Sequence, residues 1–286
     1  MVAAAAAVAL FFRAELCRSF VSAGPSRGAA RSCGRLHLQA TAGELGYKDA
    51  SYWDTRYRSG EKGATPDEID DRGRGWLCEY AGPVQQTLAA IAGGDASKRI
   101  LNVGCGVDKL SEDIYADGFT NLVSTDISPA AIEEKKLRNA ETMPLAEWHV
   151  DDATSMKAVP SQSVDIVMDK GTLDAILILE EPFMQAAKML REVHRVLKVG
   201  GTYLLVTHGR GDPEEHRLPL LAMPHLNMNI AKTPDLGGYY LFVCTKIGEA
   251  GPEAAAAQWD AAQLWAKERD EKDREAEWAM VEEMGQ

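Results

Sequence analysis

Apolar residues recur along the chain in short β-branched runs separated by helical stretches. The first run, RILNV at 99–103, ends in glycines. Others follow at 121–126 (NLVSTD), 147–150 (EWHV), 164–168 (VDIVM) and 202–206 (TYLLV). Short runs of this kind, bounded by Gly, Pro or polar residues, read as strands. Between them lie helix signals. Ser128-Pro129 is a start, with Ser as cap and Pro at the first helical position. Pro182 opens a helix that places Ala186, Met189, Leu190, Val193, Val196 and Leu197 on one face and stops at Gly200-Gly201. Residues 47–91 are helical, with a polar, Gly-rich interruption at 59–74. Runs at 225–231 and 239–246, separated by 232–238, form an antiparallel hairpin closing the sheet edge. Strands alternating with helices predict parallel βαβ units. The fold class is therefore α/β: a Rossmann-like, seven-stranded, mostly parallel sheet with a C-terminal antiparallel hairpin and helices on both faces.

The 286 residues suffice for one large α/β domain with terminal extensions. Residues 41–249 are expected to hold that domain. Residues 1–40 are rich in Ala, Ser, Gly and Arg and carry five Arg against the single acid Glu15. That composition is transit-peptide-like. The apolar run at 2–12 has no basic residue before it and Arg after it, which suits a mitochondrial presequence better than a signal peptide. A plain disordered extension, and a cytoplasmic or plastid protein, are the alternatives. Residues 250–286 are Ala-rich and then densely charged (KERDEKDRE at 267–275), an acidic C-terminal helix that is solvated or docks through Trp259, Trp265 and Trp278.

Charge and cysteines narrow the partners. The net charge is −12, and the basic leader leaves the remainder more acidic, at about −16. Such a body repels a phosphate backbone, so nucleic acid is not an expected substrate. No apolar run reaches the roughly 18–20 residues of a membrane span. The five Cys are scattered and lack CxxC spacing, fitting neither a disulfide framework nor a zinc site.

The chemistry centres on Asn102-Val103-Gly104-Cys105-Gly106, directly after the first strand. Glycines there let the backbone turn sharply and approach a ligand at the carboxyl edge of a parallel sheet. Asp126 ends the second strand, where a carboxylate can accept both ribose hydroxyls of an adenosine. These two features fit a nicotinamide dinucleotide as well as S-adenosylmethionine. Two others separate them. The third glycine of a pyrophosphate site is missing, and Asp108 would meet a pyrophosphate with like charge. Asp151-Asp152 follows the third strand, where a carboxylate can accept the adenine amino group, or can be a solvated loop.

ILNVGCGVDKLSEDIY at 100–115 resembles the first motif of class I, seven-β-strand S-adenosylmethionine-dependent methyltransferases. The branch it is most similar to contains the elongation-factor-1-alpha and citrate synthase lysine methyltransferases. STDIS at 124–128 resembles that branch's second motif, DKGTLDA at 169–175 its signature, and YWDTRY at 52–57 its cofactor-covering segment. The likeness runs from about residue 47 to 246. It implies that Gly104, Cys105 and Gly106 pass under the methionyl moiety. It also implies that Asp126 and Ile127 hold the ribose, and that Asp152 and Ala153 bracket the adenine. Trp53 and Arg56 would close over the cofactor, Arg56 reaching the methionine carboxylate. Asp169 would lie beside the amino-acid end and the target nitrogen, as cofactor ligand and catalytic residue. Asn102 departs from the pattern, standing where many class I enzymes carry an acid. The loop THGRGDP at 207–213 matches no assignable pattern.

The implied reaction is in-line transfer of a methyl group to a lysine of a protein partner, with the protein supplying binding and alignment. An ammonium must first lose a proton, which at pH 7 costs about 4.6 kcal/mol for an unperturbed lysine. Asp169 is the expected acceptor. Lys170 reads as a surface or packing lysine, and His208 as a base at the mouth of the site or an incidental strand-end residue. No Asp-Pro-Pro-Tyr-like motif for planar nitrogens is present, and no metal-ligand cluster appears. Small-molecule O- or N-methylation, a non-catalytic cofactor-binding subunit and a nicotinamide dehydrogenase remain open.

Overall fold

The structure, a computed structural model, describes residues 50–59, 77–208 and 212–284, without the side chains of Arg56, Ser59 and those from 276 onward. The expectations for residues 1–40 and for the Arg56 side chain thus lie outside the described residues. Seven strands form one sheet: β1 (Ile100–Val103), β2 (Leu122–Asp126), β3 (Glu147–Val150), β4 (Val164–Lys170), β5 (Leu197–Thr207), β6 (Met228–Lys232) and β7 (Tyr240–Lys246). Their order is β3-β2-β1-β4-β5-β7-β6. The first five are parallel, and β7 pairs antiparallel with both β5 and β6. The strand order reverses between β1 and β4, and a crevice opens at the carboxyl ends of strands at such a switch point.

Alternation along the strands feeds two cores. Leu101, Val103, Val167, Tyr203 and Leu205 face one side, while Ile100, Ile166, Met168, Leu204 and Val206 face the other. Helix α1 (Ala50–Ser59) lies before the sheet in sequence, and α2 (Pro83–Ala92), α3 (Leu110–Ala116) and α4 (Pro129–Asn139) pack on the second face through Val84, Leu88, Leu110, Ile114 and Ile132. The short α5 (Thr172–Ile176) follows β4, and α6 (Pro182–Val196) covers the first face. Each Leu, Val or Met so buried contributes about 1.5–3 kcal/mol. Helix starts follow the expected grammar at α4: Pro129 sits in its first turn and the Ser128 side chain accepts from the Ala131 N–H.

Two boundaries differ from the sequence reading. The helix from Pro182 ends at Val196, not at the glycine pair, and β5 starts at once with Leu197. Leu197 pairs with Val164 and Thr202 with Ile166, so Gly200-Gly201 forms an irregularity inside the strand, with Gly200 at φ 83. A Cβ on Gly201 would lie 3.0 Å from the Asp165 carbonyl oxygen, so the close approach needs glycine. Residues Pro224–Leu226 form a 3-10 turn, closed by Asn227 at φ 42, and β6 starts only at Met228.

The C-terminal helix, α7 (Pro252–Met284), docks on its own domain. Ala262 and Ala266 enter the first core, Trp265 meets Phe183 edge-on at 5.8 Å, and Arg191 lies 4.4 Å over the Trp259 ring. Asp270, 4% exposed, accepts from the N–H groups of Phe183 (2.8 Å) and Met184 (3.1 Å), capping α6 from outside. Among the described residues no helix is long and apolar enough to cross a membrane.

Candidate functional site

The turn after β1 supplies the floor of the crevice. Gly104 and Gly106 adopt φ 62 and φ 50, backbone that side chains rarely take. A Cβ on Gly104 would lie 2.1 Å from Thr172 Oγ1 of α5, and Thr172 Oγ1 donates to the Val103 carbonyl at 2.9 Å. The turn therefore bears directly on the segment that follows β4. Cys105 is buried in the second core and its N–H donates to the Thr125 carbonyl, so its thiol faces the core. Burial pushes that thiol up in pKa.

Asp126, 6% exposed, stands where β2 ends. Its Oδ2 accepts the Gly106 N–H at 2.8 Å and its Oδ1 the Ser128 N–H at 2.9 Å. The carboxylate thus ties the glycine turn to the start of α4, with Ile127 half-buried between the two donors' strands of chain. Burial raises its pKa, against the two backbone hydrogen bonds and helped by the charge of Asp54. Each oxygen uses one acceptor site of two, leaving capacity for a pair of hydroxyls.

Helix α1 reaches this point through residues the sequence reading did not single out. Asp54 accepts from the Ser128 hydroxyl and from the Ala130 N–H, at the N-terminus of α4. These bonds hold its carboxyl below the usual range. The Tyr57 hydroxyl comes to 3.1 Å of where a Gly106 Cβ would be, and Tyr57 stacks on Trp53 at 5.9 Å. Trp53 and Tyr57 are four residues apart, the spacing of one helix face, and that signal was available in YWDTRY.

After β3, the two carboxylates divide their tasks. Asp151 is structural: it accepts from the N–H groups of Asp152, Lys157 and Ala158. Asp152 Oδ1 accepts both the N–H and the hydroxyl of Thr154 at 2.8 Å, and Ala153 packs against the first core.

Asp169 pairs in register with Val103, beside the glycine turn. Its carboxyl is 0% exposed and takes three donors: the Tyr203 hydroxyl (2.7 Å), the Thr172 N–H (2.8 Å) and the Leu173 N–H (3.2 Å). Burial pushes its pKa up to about 7, against those hydrogen bonds and with the nearby charge of Asp174 adding to the rise. Lys170 is no surface residue. It is buried and ion-paired with Asp108 at 2.6 Å, and Asp108 also accepts the Leu110 N–H. The charge of Asp108 is therefore offset, and the repulsion of a pyrophosphate expected from it loses its force. At the end of β5, Asp174 and Arg217 form a second buried pair at 2.5 Å, joined by Thr207 and the His208 N–H. An arginine within the apolar stretch around LPLLAM was the only hint of it. Among the described residues no group of His, Cys, Asp and Glu could hold a metal ion.

Residues 101–205 match the family described as methyltransferase domain. The bovine eEF1A lysine and N-terminal methyltransferase is 44% identical over 112 residues, 38% of this chain and 16% of that protein. The mouse EEF1A lysine methyltransferase 4 is 31% identical over 169 residues, 56% of this chain and 61% of that protein. The chain thus spans under two thirds of each of these relatives. A solved structure from work on conversion of a disulfide bond into a thioacetal group in echinomycin biosynthesis superposes with a TM-score of 0.51 at 16% identity. It covers 73% of this chain and 96% of its own, and it shows the fold alone. Residues 101–205 thus match a methyltransferase-domain family on this seven-stranded sheet, and the segment is similar in sequence to the eEF1A lysine methyltransferases.

Proposed function

We propose that the protein transfers a methyl group from S-adenosylmethionine to a lysine side chain of a protein substrate, with elongation factor 1-alpha the first candidate. The observation that carries the reading is the likeness to relatives named for that reaction, over the segment that builds the crevice.

The residues present fit the cofactor. Asn102 Oδ1 is buried beside the glycine turn and has no hydrogen-bond partner among the described residues, an acceptor for an amino group. Gly104 and Gly106 give the sharp backbone turn along which the methionyl end would lie, with Thr172 and Tyr57 packed where their side chains would be. Asp126 takes the ribose hydroxyls, with Ile127 alongside. Asp152 and Ala153 bracket the adenine. Trp53 on α1 closes from above, helped by Tyr57 and by the Asp54 anchor, and the likeness of YWDTRY would give Arg56 a part in the same task. When bound, S-adenosylmethionine supplies an electrophilic methyl on a positive sulfur. The chain's own part is to align that methyl with the amine, exclude water and accept a proton. With its carboxyl turned onto Tyr203 and the α5 N–H groups, Asp169 acts by holding the post-β4 segment against Gly104.

The domain limits belong to the same proposal: a leader at 1–40, the methyltransferase domain at 41–249 and the acidic helix at 250–286. The leader's composition supports mitochondrial import, which imaging a fusion of residues 1–40 to a fluorescent protein tests.

To test the activity, the full chain and its Asp126→Ala variant are incubated with S-adenosylmethionine and a cell extract, and added methyl groups are located by mass spectrometry. A methyl on one lysine, absent with the variant, supports the proposal. Cofactor binding without any protein methylation sinks it.

A further inference from the structure

We propose that His208 takes the proton from the target amine, and that the buried Asp174–Arg217 pair positions it. This rests on the amine-methylation reading above. The need for such a group is chemical: a lysine arrives as an ammonium and is not a nucleophile until it sheds a proton.

The candidates near the switch point can be compared by access. Asp169 is fully buried and already takes three donors. Cys105 is buried in the core, and Lys170 is a cation paired with Asp108. His208 stands at the carboxyl end of β5, just beyond the Val206 that pairs with Lys170, and its side chain is 47% exposed. Imidazole is the side chain best suited to accept and release a proton near neutrality.

Its surroundings are built rather than incidental. Asp174 Oδ1 is held by Arg217 and by the Thr207 hydroxyl, both at 2.5 Å, and Arg217 Nε donates to Thr207 Oγ1 at 2.9 Å. The other oxygen, Oδ2, turns to His208: it accepts the backbone N–H at 3.2 Å and lies 4.0 Å from Nε2. Arg217 is 1% exposed. A buried ion pair contributes little stability over packed apolar residues, so holding the His208 backbone and setting a carboxylate 4.0 Å from its imidazole gives this one a use. The chain of contacts reaches the glycine turn, since Asp174 sits two residues after Thr172, which abuts Gly104. Of the charged groups whose contacts are described, Asp174 lies 4.0 Å from Nε2, and Arg217 bears on the imidazole through Asp174.

In the step proposed, an N–H proton of the ammonium passes to the imidazole and the nitrogen keeps the electron pair. That pair forms the N–C bond to the methyl as the C–S pair goes to sulfur, and the imidazolium then releases its proton to water. His208 would be catalytic and Asp174 a positioning residue.

The test uses the full chain, S-adenosylmethionine and purified elongation factor 1-alpha. His208→Asn should fall about 100-fold in kcat with the KM for S-adenosylmethionine unchanged. The gap should narrow as pH approaches 10, where the amine deprotonates unaided. Asp174→Asn, checked for folding by circular dichroism, should change the acid limb of the kcat profile, where a merely structural loss would lower every pH equally. Independently of turnover, diethyl pyrocarbonate should modify His208, and the substrate protein should slow that modification as read by mass spectrometry. His208→Asn within threefold of the parent at every pH, or modification indifferent to saturating substrate, overturns the proposal. A parent that methylates neither this protein nor any in an extract instead sinks the amine reading, and the role of His208 with it.

Discussion

The Tyr203 hydroxyl donates to Asp169 Oδ2 at 2.7 Å across neighbouring strands, and neither side chain is exposed. A carboxyl placed there by the register of β4 and β5 cannot reach solvent. It spends its acceptors on Tyr203 and on the first N–H groups of α5, and so fixes the short helix that leans on Gly104.

That burial makes stability depend on pH. The pKa of Asp169 in the fold, about 7, lies above its unfolded value, about 3.9. The stability it contributes is therefore fully present below pH ~3.9 and is lost as pH rises through ~7. Asp169→Asn keeps the shape without the titration. Urea unfolding of both proteins from pH 4 to pH 8 should show the parent losing stability relative to the variant across that window. Parallel curves would mean that this carboxyl is not the source.

The glycine turn predicts a non-additive pair. Gly104→Ala forces a Cβ to 2.1 Å from Thr172 Oγ1 at a backbone φ of 62, and should cost about 2 kcal/mol or more. Adding Thr172→Ala removes the two nearest atoms and should recover part of that loss, with the φ strain remaining. Denaturant midpoints of the four proteins in the cycle give the coupling. A double variant as unstable as the sum of the singles would show that the contact is relieved some other way.

The strands and their mostly parallel sheet were legible in the sequence because β1, β2 and β4 are short runs rich in apolar and β-branched residues, buried on both faces, and the glycines after β1 mark a carboxyl edge. Asp126 was legible for the same reason, ending a strand before a Ser-Pro helix start. The direction in which a side chain turns was not. Asp169 was expected just past the fourth strand and lies within it, and nothing in DKGTLDA states that Tyr203, 34 residues on, draws its carboxyl inward. Lys170 read as a surface or packing lysine, and its ion pair was not legible because its partner, Asp108, comes from a different turn. Gly200-Gly201 read as a stop because a glycine pair ends helices more often than it forms an irregularity within a strand.

The Lys170–Asp108 pair should behave as a buried ion pair does. Lys170→Met leaves Asp108, 25% exposed, without its 2.6 Å partner and should destabilise by about 2–4 kcal/mol. Lys170→Met with Asp108→Asn removes both charges and should regain much of it. Thermal unfolding of the parent and the two variants measures this. If the double variant is no better than Lys170→Met, the lysine's aliphatic packing matters and its charge does not.

The C-terminal helix offers a test that separates docking from mere helicity. Asp270 reaches across to α6 and accepts two N–H groups that the helix itself leaves unpaired, those of Phe183 and Met184. Asp270→Ala removes this cap and leaves both donors with little access to water, because Phe183 is itself buried. A cost of about 1–2 kcal/mol follows from cap losses of this kind. The pKa of Asp270 is raised by burial, against the two backbone bonds, so the cap is weakest where the carboxyl is protonated. Asp270→Asn should therefore lie between parent and Asp270→Ala, since its amide oxygen serves one donor. The local readout is limited proteolysis: cleavage within α7 should speed up in Asp270→Ala more than cleavage elsewhere, because Trp259, Trp265 and the small pair Ala262 and Ala266 dock with it as one unit. If α7 is cut no faster while the midpoint still falls, the cap stabilises α6 alone and the aromatic contacts hold the C-terminal helix by themselves.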